Sequence, residues 1–235
     1  MNMIAQLPLE NLYTYAFLKT PTVKLNLPKG IFNQVVLIDN SGISAVVEPE
    51  LYLDNLVKND QQLIQIALDH NRVICEIFCQ VSVLPLRLGT SFNSYEAILN
   101  YLKSHADAYK EKLDSLEGKS EYLLKLIPRK LEETAPVIET AGKQYFLAKK
   151  QRYKEQQDFQ NTQMNERDNL IDYINQLYSS STITQAESKG EEGRIYFLLS
   201  PQEESLLLEN LSSWQQAYPL WDLQLGEALP PYHFI

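Results

Sequence analysis

The stretch "QVVLIDNSGISAVVE", residues 34–48, leaves the chain few ways to begin folding. Two β-branched runs flank Asn40-Ser41-Gly42, and a glycine there accepts the positive φ that a tight reversal needs. Such runs on either side of a turn predict a β-hairpin, and a hairpin commits the chain to an antiparallel sheet. "LYTYAFL" supplies a further strand ahead of it, with Tyr13, Tyr15 and Phe17 alternating along the segment.

After Pro49 the pattern becomes helical. From 60 to 81, Leu63, Ala67, His70, Ile74, Ile77 and Val81 recur at steps of three and four, which predicts a helix with one apolar face. "VLPLRLGTSF" breaks that helix at Pro85, turns at Gly89 and supplies another extended segment. Ser94 then reads as the N-cap of "YEAILNYLKSHADAYKEKL". Strands first and helices after make residues 1–115 an α+β domain.

A second pattern opens at "LEGKSEYLLKLIPRK", with a strand at about 119–127 that ends at Pro128, and the domain boundary falls within "DSLEG", 114–118. A helical tract follows over about 129–178, interrupted near Pro136 and Gly142. Its middle, "KKQRYKEQQDFQNTQMNERDN", offers only Tyr153, Phe159 and Met164 as large apolar groups, irregularly spaced. Such a helix cannot be packed on both sides, so part of it projects into solvent, as a solvated arm or as a partner-binding helix. "GRIYFLL" is a strand, and Ser200, Pro201 and Glu203 form a capping box with proline at the first helical position. In "PLWDLQL", Trp221, Leu223 and Leu225 alternate. With "SSSTITQAESK" as a strand, the order is strand, helix, strand, strand, helix, strand. The expected fold class is therefore α+β with two domains. The second, 116–225, is a modified ferredoxin-like split βαβ carrying a long helical insertion, and 226–235 is an extended C-terminal tail.

Composition limits the function. Lys plus Arg total 21 against 30 Asp plus Glu, a formal charge of -9, which repels phosphate backbones and argues against nucleic-acid partners. The start lacks a basic region followed by an unbroken apolar core, and no run is long enough for a bilayer, so a cytoplasmic protein without a lipid-membrane partner is expected. Cys75 and Cys79 lie one helical turn apart after His70. A zinc site normally needs four ligands, and neither His105 nor His233 is spaced to complete one, so free thiols and no metal are expected. His70 on an apolar stripe reads as a core histidine. No nucleophile elbow, Walker A or dinucleotide fingerprint is present, and with 8 glycines in the chain phosphate-cradling loops are disfavoured. These features predict no catalytic residue, no cofactor and no enzyme. Arg87, set between apolar residues, reads either as the edge of a buried strand, capping carbonyls or pairing an acid, or as a partner or substrate anchor.

The chain ends "GEALPPYHFI". Two prolines restrict the tail to extended conformations, and Tyr232 and Phe234, two apart, then point the same way. The tail is expected to dock on the protein's own body, bridging the two domains.

Several of these blocks, in order, resemble the gas vesicle protein F/L family. A helical His followed by a Pro-x-Arg-(Phe or similar)-Gly segment matches His70, Pro85, Arg87 and Gly89, with Leu88 where the family often has Phe. "LEGKSEYLLKL" is similar to a Gly-x-x-Glu-(aromatic) strand through Gly118, Glu121 and Tyr122. "AGKQYFLAKK" resembles a Gly-(Lys/Arg)-x-Tyr-(Phe/Leu)-Leu block through Gly142, Lys143, Tyr145 and Leu147. The ending keeps Gly226, Pro230, Pro231, Tyr232 and Phe234 of Gly-Pro-Trp-Pro-Pro-Tyr-x-Phe, with Glu-Ala-Leu where Pro-Trp is common. The resemblance implies a minor component or accessory protein of gas vesicles, located there in the cytoplasm, and its motif residues would be structural or partner-binding. It would bind the small hydrophobic shell protein, with other gas vesicle accessory proteins as further partners, and assist nucleation and assembly. The alternatives are a small-molecule-sensing regulatory module of ferredoxin-like type and, with least support, a hydrolase built on His70.

Overall fold

The structure is a computed structural model that describes residues 10–53, 59–131, 143–178, 182–185 and 192–235. Contacts divide the chain into two compact units: 1–121 together with Leu229–Ile235, and Tyr122–Ala228. The mixture of helices and antiparallel strand pairs makes the protein α+β.

In the first unit, β1 (Glu10–Lys19), β2 (Val36–Asn40), β3 (Ile43–Pro49), β4 (Leu84–Pro85) and β5 (Ser91–Ser94) form one sheet. Its order is β2-β3-β1-β4, with β5 also paired to β1. The predicted hairpin is β2–β3, closed by Asn40 opposite Ile43. Ser41 and Gly42 take φ of 54° and 83°, the two positive values that a two-residue hairpin turn requires.

Strand β1 is buried from Leu12 to Leu18, so both of its faces are covered. A register shift between Thr14 and Ala16 changes which side chains share a face. Tyr13 and Tyr15 lie in the same core as Ala16 and Leu18, whereas Phe17 stacks at 5.1 Å on Tyr109 of α2 (Tyr95–Leu116). Simple alternation of Tyr13, Tyr15 and Phe17 therefore does not hold, because the extra residue of a bulge inverts the side-chain order.

Helix α1 (Asp60–Phe78) starts at Asn59, whose side chain accepts from the Gln62 amide at 2.9 Å. It buries Ile66, His70, Val73, Ile74 and Ile77 against β1 and its neighbours. Full burial of each such aliphatic side chain is worth about 1.5–3 kcal/mol. The apolar face is thus rotated from the one expected, since Leu63 stays exposed and Ile66 and Val73 go inside. Ser94 caps α2 as predicted, accepting from the Ala97 amide at 3.2 Å.

The second unit's sheet has the order β7-β8-β6-β9, from β6 (Ser120–Pro128, whose first two residues belong to the first unit), β7 (Thr182–Gln185), β8 (Gly193–Leu199) and β9 (Trp221–Leu225). Alternate residues Leu124 and Leu126 of β6 and Ile195, Phe197 and Leu199 of β8 meet Leu170 and Ile174 of α3 (Lys143–Leu177). Leu207 and Trp214 of α4 (Pro201–Ala217) join them. The predicted capping box is present: Ser200 and Glu203 satisfy each other's backbone amides. Arg129 to Leu131 precede α3 without being helical, because Pro128 ends β6 and the Arg129 amide donates to the Leu220 carbonyl instead.

Candidate functional site

The polar interior of the first unit gathers most of the chemistry-bearing residues. Glu48, fully buried at the end of β3, accepts the amides of Ile31 and Phe32 at 2.7 and 2.8 Å, the amide of Asn33 and the hydroxyl of Tyr15. A buried carboxylate is tolerated only when its oxygens are satisfied this fully. Gly30 makes room for it, since a Cβ there would stand 2.1 Å from Glu48 Oε2. Arg72 of α1 holds the same loop from outside by donating to the carbonyls of Lys29 at 3.0 Å and Gly30 at 3.3 Å.

His70 sits beside this network. Its Nε2 lies 3.0 Å from the Leu86 carbonyl, which can only accept, so Nε2 carries the proton. Nδ1, 2.7 Å from the Tyr13 hydroxyl, therefore accepts. The ring stacks on Tyr15 at 5.2 Å. Burial lowers the His70 pKa from the ordinary imidazole value, opposed by the bond to Leu86. Burial likewise pushes Tyr13 up to about 12, and raises Tyr15, where the bond to Glu48 adds to the effect. His70 thus ties α1 to β1 and to the segment behind Pro85 as a neutral ring. Pro85 is buried opposite Ala16, whereas Arg87 is exposed. The Arg87 carbonyl accepts from the Thr90 amide, closing a turn in which Gly89 takes φ of 89°.

The C-terminal tail returns to this same unit. Leu229 exchanges both backbone hydrogen bonds with Glu121, at 2.8 and 2.9 Å. The Glu121 carboxylate, 1 % exposed, accepts the His233 amide at 2.8 Å and faces His233 Nδ1 at 2.7 Å. Pro230 and Pro231 are buried. Tyr232 packs on the α1–β1 core and donates from its hydroxyl to Asn71. Burial raises the Tyr232 pKa, and Cys75 next to it is raised by burial too. Phe234 is half-buried, with its amide 3.3 Å from the Pro231 carbonyl.

Of the remaining motif positions, Gly118 takes φ of 69° at the end of α2, a conformation that favours glycine. Tyr122 is buried in the second unit's core, where Gly226 donates its amide to the Leu123 carbonyl at 2.8 Å. Lys143 opens α3, Tyr145 is exposed on its first turn, and Gly142 lies outside the described residues. Among the described residues no group of three or more His, Cys, Asp or Glu is placed to hold a metal, and no helix is long and apolar enough to cross a membrane. Sequence reasoning missed Glu48, Gly30, Asn71 and the pairing of Glu121 with His233. An acid closing a β-branched run was a signal for Glu48. Nothing local marks the others, since their partners lie far along the chain.

The model of the family described as "Gas vesicle synthesis protein GvpL/GvpF" matches residues 11–235. The chain belongs to that family. Two solved GvpF proteins share the fold. GvpF from Microcystis aeruginosa has a TM-score of 0.67 at 16 % identity, over 95 % of this chain and 98 % of that one. GvpF from Anabaena sp. PCC7120 has a TM-score of 0.68 at 14 % identity, over 96 % and 95 %. A comparison with curated protein sequences gives no match. For a GvpL/GvpF protein, the resemblance of the ordered sequence blocks and the family match agree, and the role is related to gas vesicles.

Proposed function

We propose that this protein is a non-enzymatic assembly component of gas vesicles, which binds the small hydrophobic shell protein and assists nucleation. Family membership over residues 11–235 is the observation that carries the reading. The state of His70 supports the non-enzymatic part, because both ring nitrogens are engaged in holding the fold and burial disfavours the charged ring. A shell subunit that buries apolar faces in a wall is prone to aggregate beforehand, and a folded partner that masks those faces keeps it available. The protein acts in the cytoplasm at the gas vesicle, with the shell protein and other gas vesicle proteins as partners.

The chain functions as two domains, with the second a split βαβ of ferredoxin-like type in which α3 is a lengthened first helix. The element order β6-α3-β7-β8-α4-β9 and the sheet order β7-β8-β6-β9 support that assignment. Co-purification of the tagged full chain with the shell protein, together with vesicle formation in cells lacking this chain, tests the function. Capture of the shell protein and loss of vesicles are expected. Normal vesicles with no capture would overturn it.

A further inference from the structure

The first half of α3 stands apart from the rest of an acidic protein. Between 143 and 154 the chain carries Lys143, Lys149, Lys150, Arg152 and Lys154 and no Asp or Glu. Phe146, Lys149, Lys150 and Tyr153 stand at i, i+3, i+4 and i+7, so they share one helix face. Phe146 is 72 % exposed and Tyr153 63 %, with the Lys149 ammonium 5.9 Å from the Tyr153 ring centre. Among the described side chains of α3, the first buried one is Gln163, which donates to the Arg129 and Leu220 carbonyls. At 1.5 Å per residue, roughly 30 Å of helix precedes it, and Tyr145, Phe146, Leu147 and Tyr153 are exposed along it.

The complement lies on the same molecule. Helix α4 contains Glu203, Glu204 and Glu209 and no Lys or Arg. Leu206 and Leu208 flank its buried Leu207 and are 55 % and 51 % exposed. Glu204 and Leu208, four apart, share one face of that helix, and Leu206, Leu208 and Glu209 are exposed around it. One helix presents cations with aromatic rings; the other presents carboxylates with aliphatic side chains.

We infer that the basic, aromatic half of α3 docks on the acidic α4 face of a second copy of this chain, in a reciprocal pair. Opposite charges around an apolar centre set the orientation and the salt dependence, while the rings and leucines lose water. Two-fold symmetry makes the contact twice, once for each arm, and so closes the assembly at two copies. This inference is independent of the proposed shell-protein binding, because both halves of the interface are supplied by this chain.

The test is the solution mass of the full chain, with charge reversal on each helix. Light scattering in about 10 mM salt is expected to give twice the 27.1 kDa monomer, falling to the monomer in about 1 M salt. The variant Lys149→Glu/Lys150→Glu/Lys154→Glu and the variant Glu204→Lys/Glu209→Lys should each weaken self-association by at least about tenfold. Mixed together, the two variants restore opposite charges at both contacts and should pair. Lys149, Lys150, Lys154 and Glu209 are exposed and Glu204 is half-buried, and circular dichroism checks that both variants remain folded. A monomer in low salt, or variants that fail to pair when mixed, would overturn the inference. So would a monomer whose arm variant loses only a different gas vesicle protein, since the arm would then serve that partner.

Discussion

Helices α1 and α3 show how differently one chain can use a long helix. Across its 19 residues α1 puts Ile66, His70, Val73, Ile74 and Ile77 inside, and even its polar groups Asn71 and Arg72 fasten the tail and the 29–33 loop. The 35 residues of α3 bury Leu170 and Ile174 near the end, while Tyr145, Phe146, Leu147 and Tyr153 near the start are exposed. Apolar spacing explains the contrast. A side chain repeated every three or four residues can stay on one surface, and irregular spacing cannot. One face of α1 is therefore committed to the fold while Leu63, Ile64 and Leu68 on its other side stay exposed, and the start of α3 exposes rings without any comparable buried face.

Substitutions around α1 should cost the most. Glu48→Ala strips the partner from the amides of residues 31–33 and from the Tyr15 hydroxyl, and should lower unfolding free energy by about 4 kcal/mol or more. Chemical denaturation measures this, and a loss below about 1 kcal/mol would mean that water replaces the carboxylate freely.

Deleting 230–235 comes next. It removes Tyr232 from the core and leaves the Glu121 carboxylate without His233, a cost of about 3 kcal/mol. An unchanged melting temperature would instead make the tail a handle for partners.

A smaller effect comes from acid. His70 has a folded-state pKa below its unfolded value, so its contribution is complete above about pH 6.5 and is lost as pH falls through the folded value. His70→Gln should flatten the stability profile below pH 6.5, and an unaltered acid slope would show that other groups set it.

The smallest effect belongs to the arm. Phe146→Ala should change stability by no more than about 0.5 kcal/mol, because a ring this exposed contributes little packing. A loss above about 2 kcal/mol would mean that the arm is covered by its own chain.

Local signals in the sequence were sufficient for the elements that local chemistry determines. Asn40-Ser41-Gly42, Ser94 and Ser200-Pro201-Glu203 act within a few residues, and each lies where its turn or cap was expected. The sparse apolar content around Tyr153 likewise pointed to an arm. What could not be read depends on partners remote in sequence. Glu48 binds amides 15 to 17 residues away, Glu121 meets His233 112 residues on, and Tyr232 reaches back 161 residues to Asn71. The bulge near Tyr15 also gave no compositional sign, yet it decides that Phe17 faces α2.

Hydrogen exchange on the full chain in about 1 M salt compares α1 and the α3 arm most directly, since screening there releases any partner held by charge. Slow exchange is expected for the amides of 66–77 and fast exchange for those of 147–158. Equally slow exchange in both helices would contradict it, because the arm would then be held by the fold of its own chain.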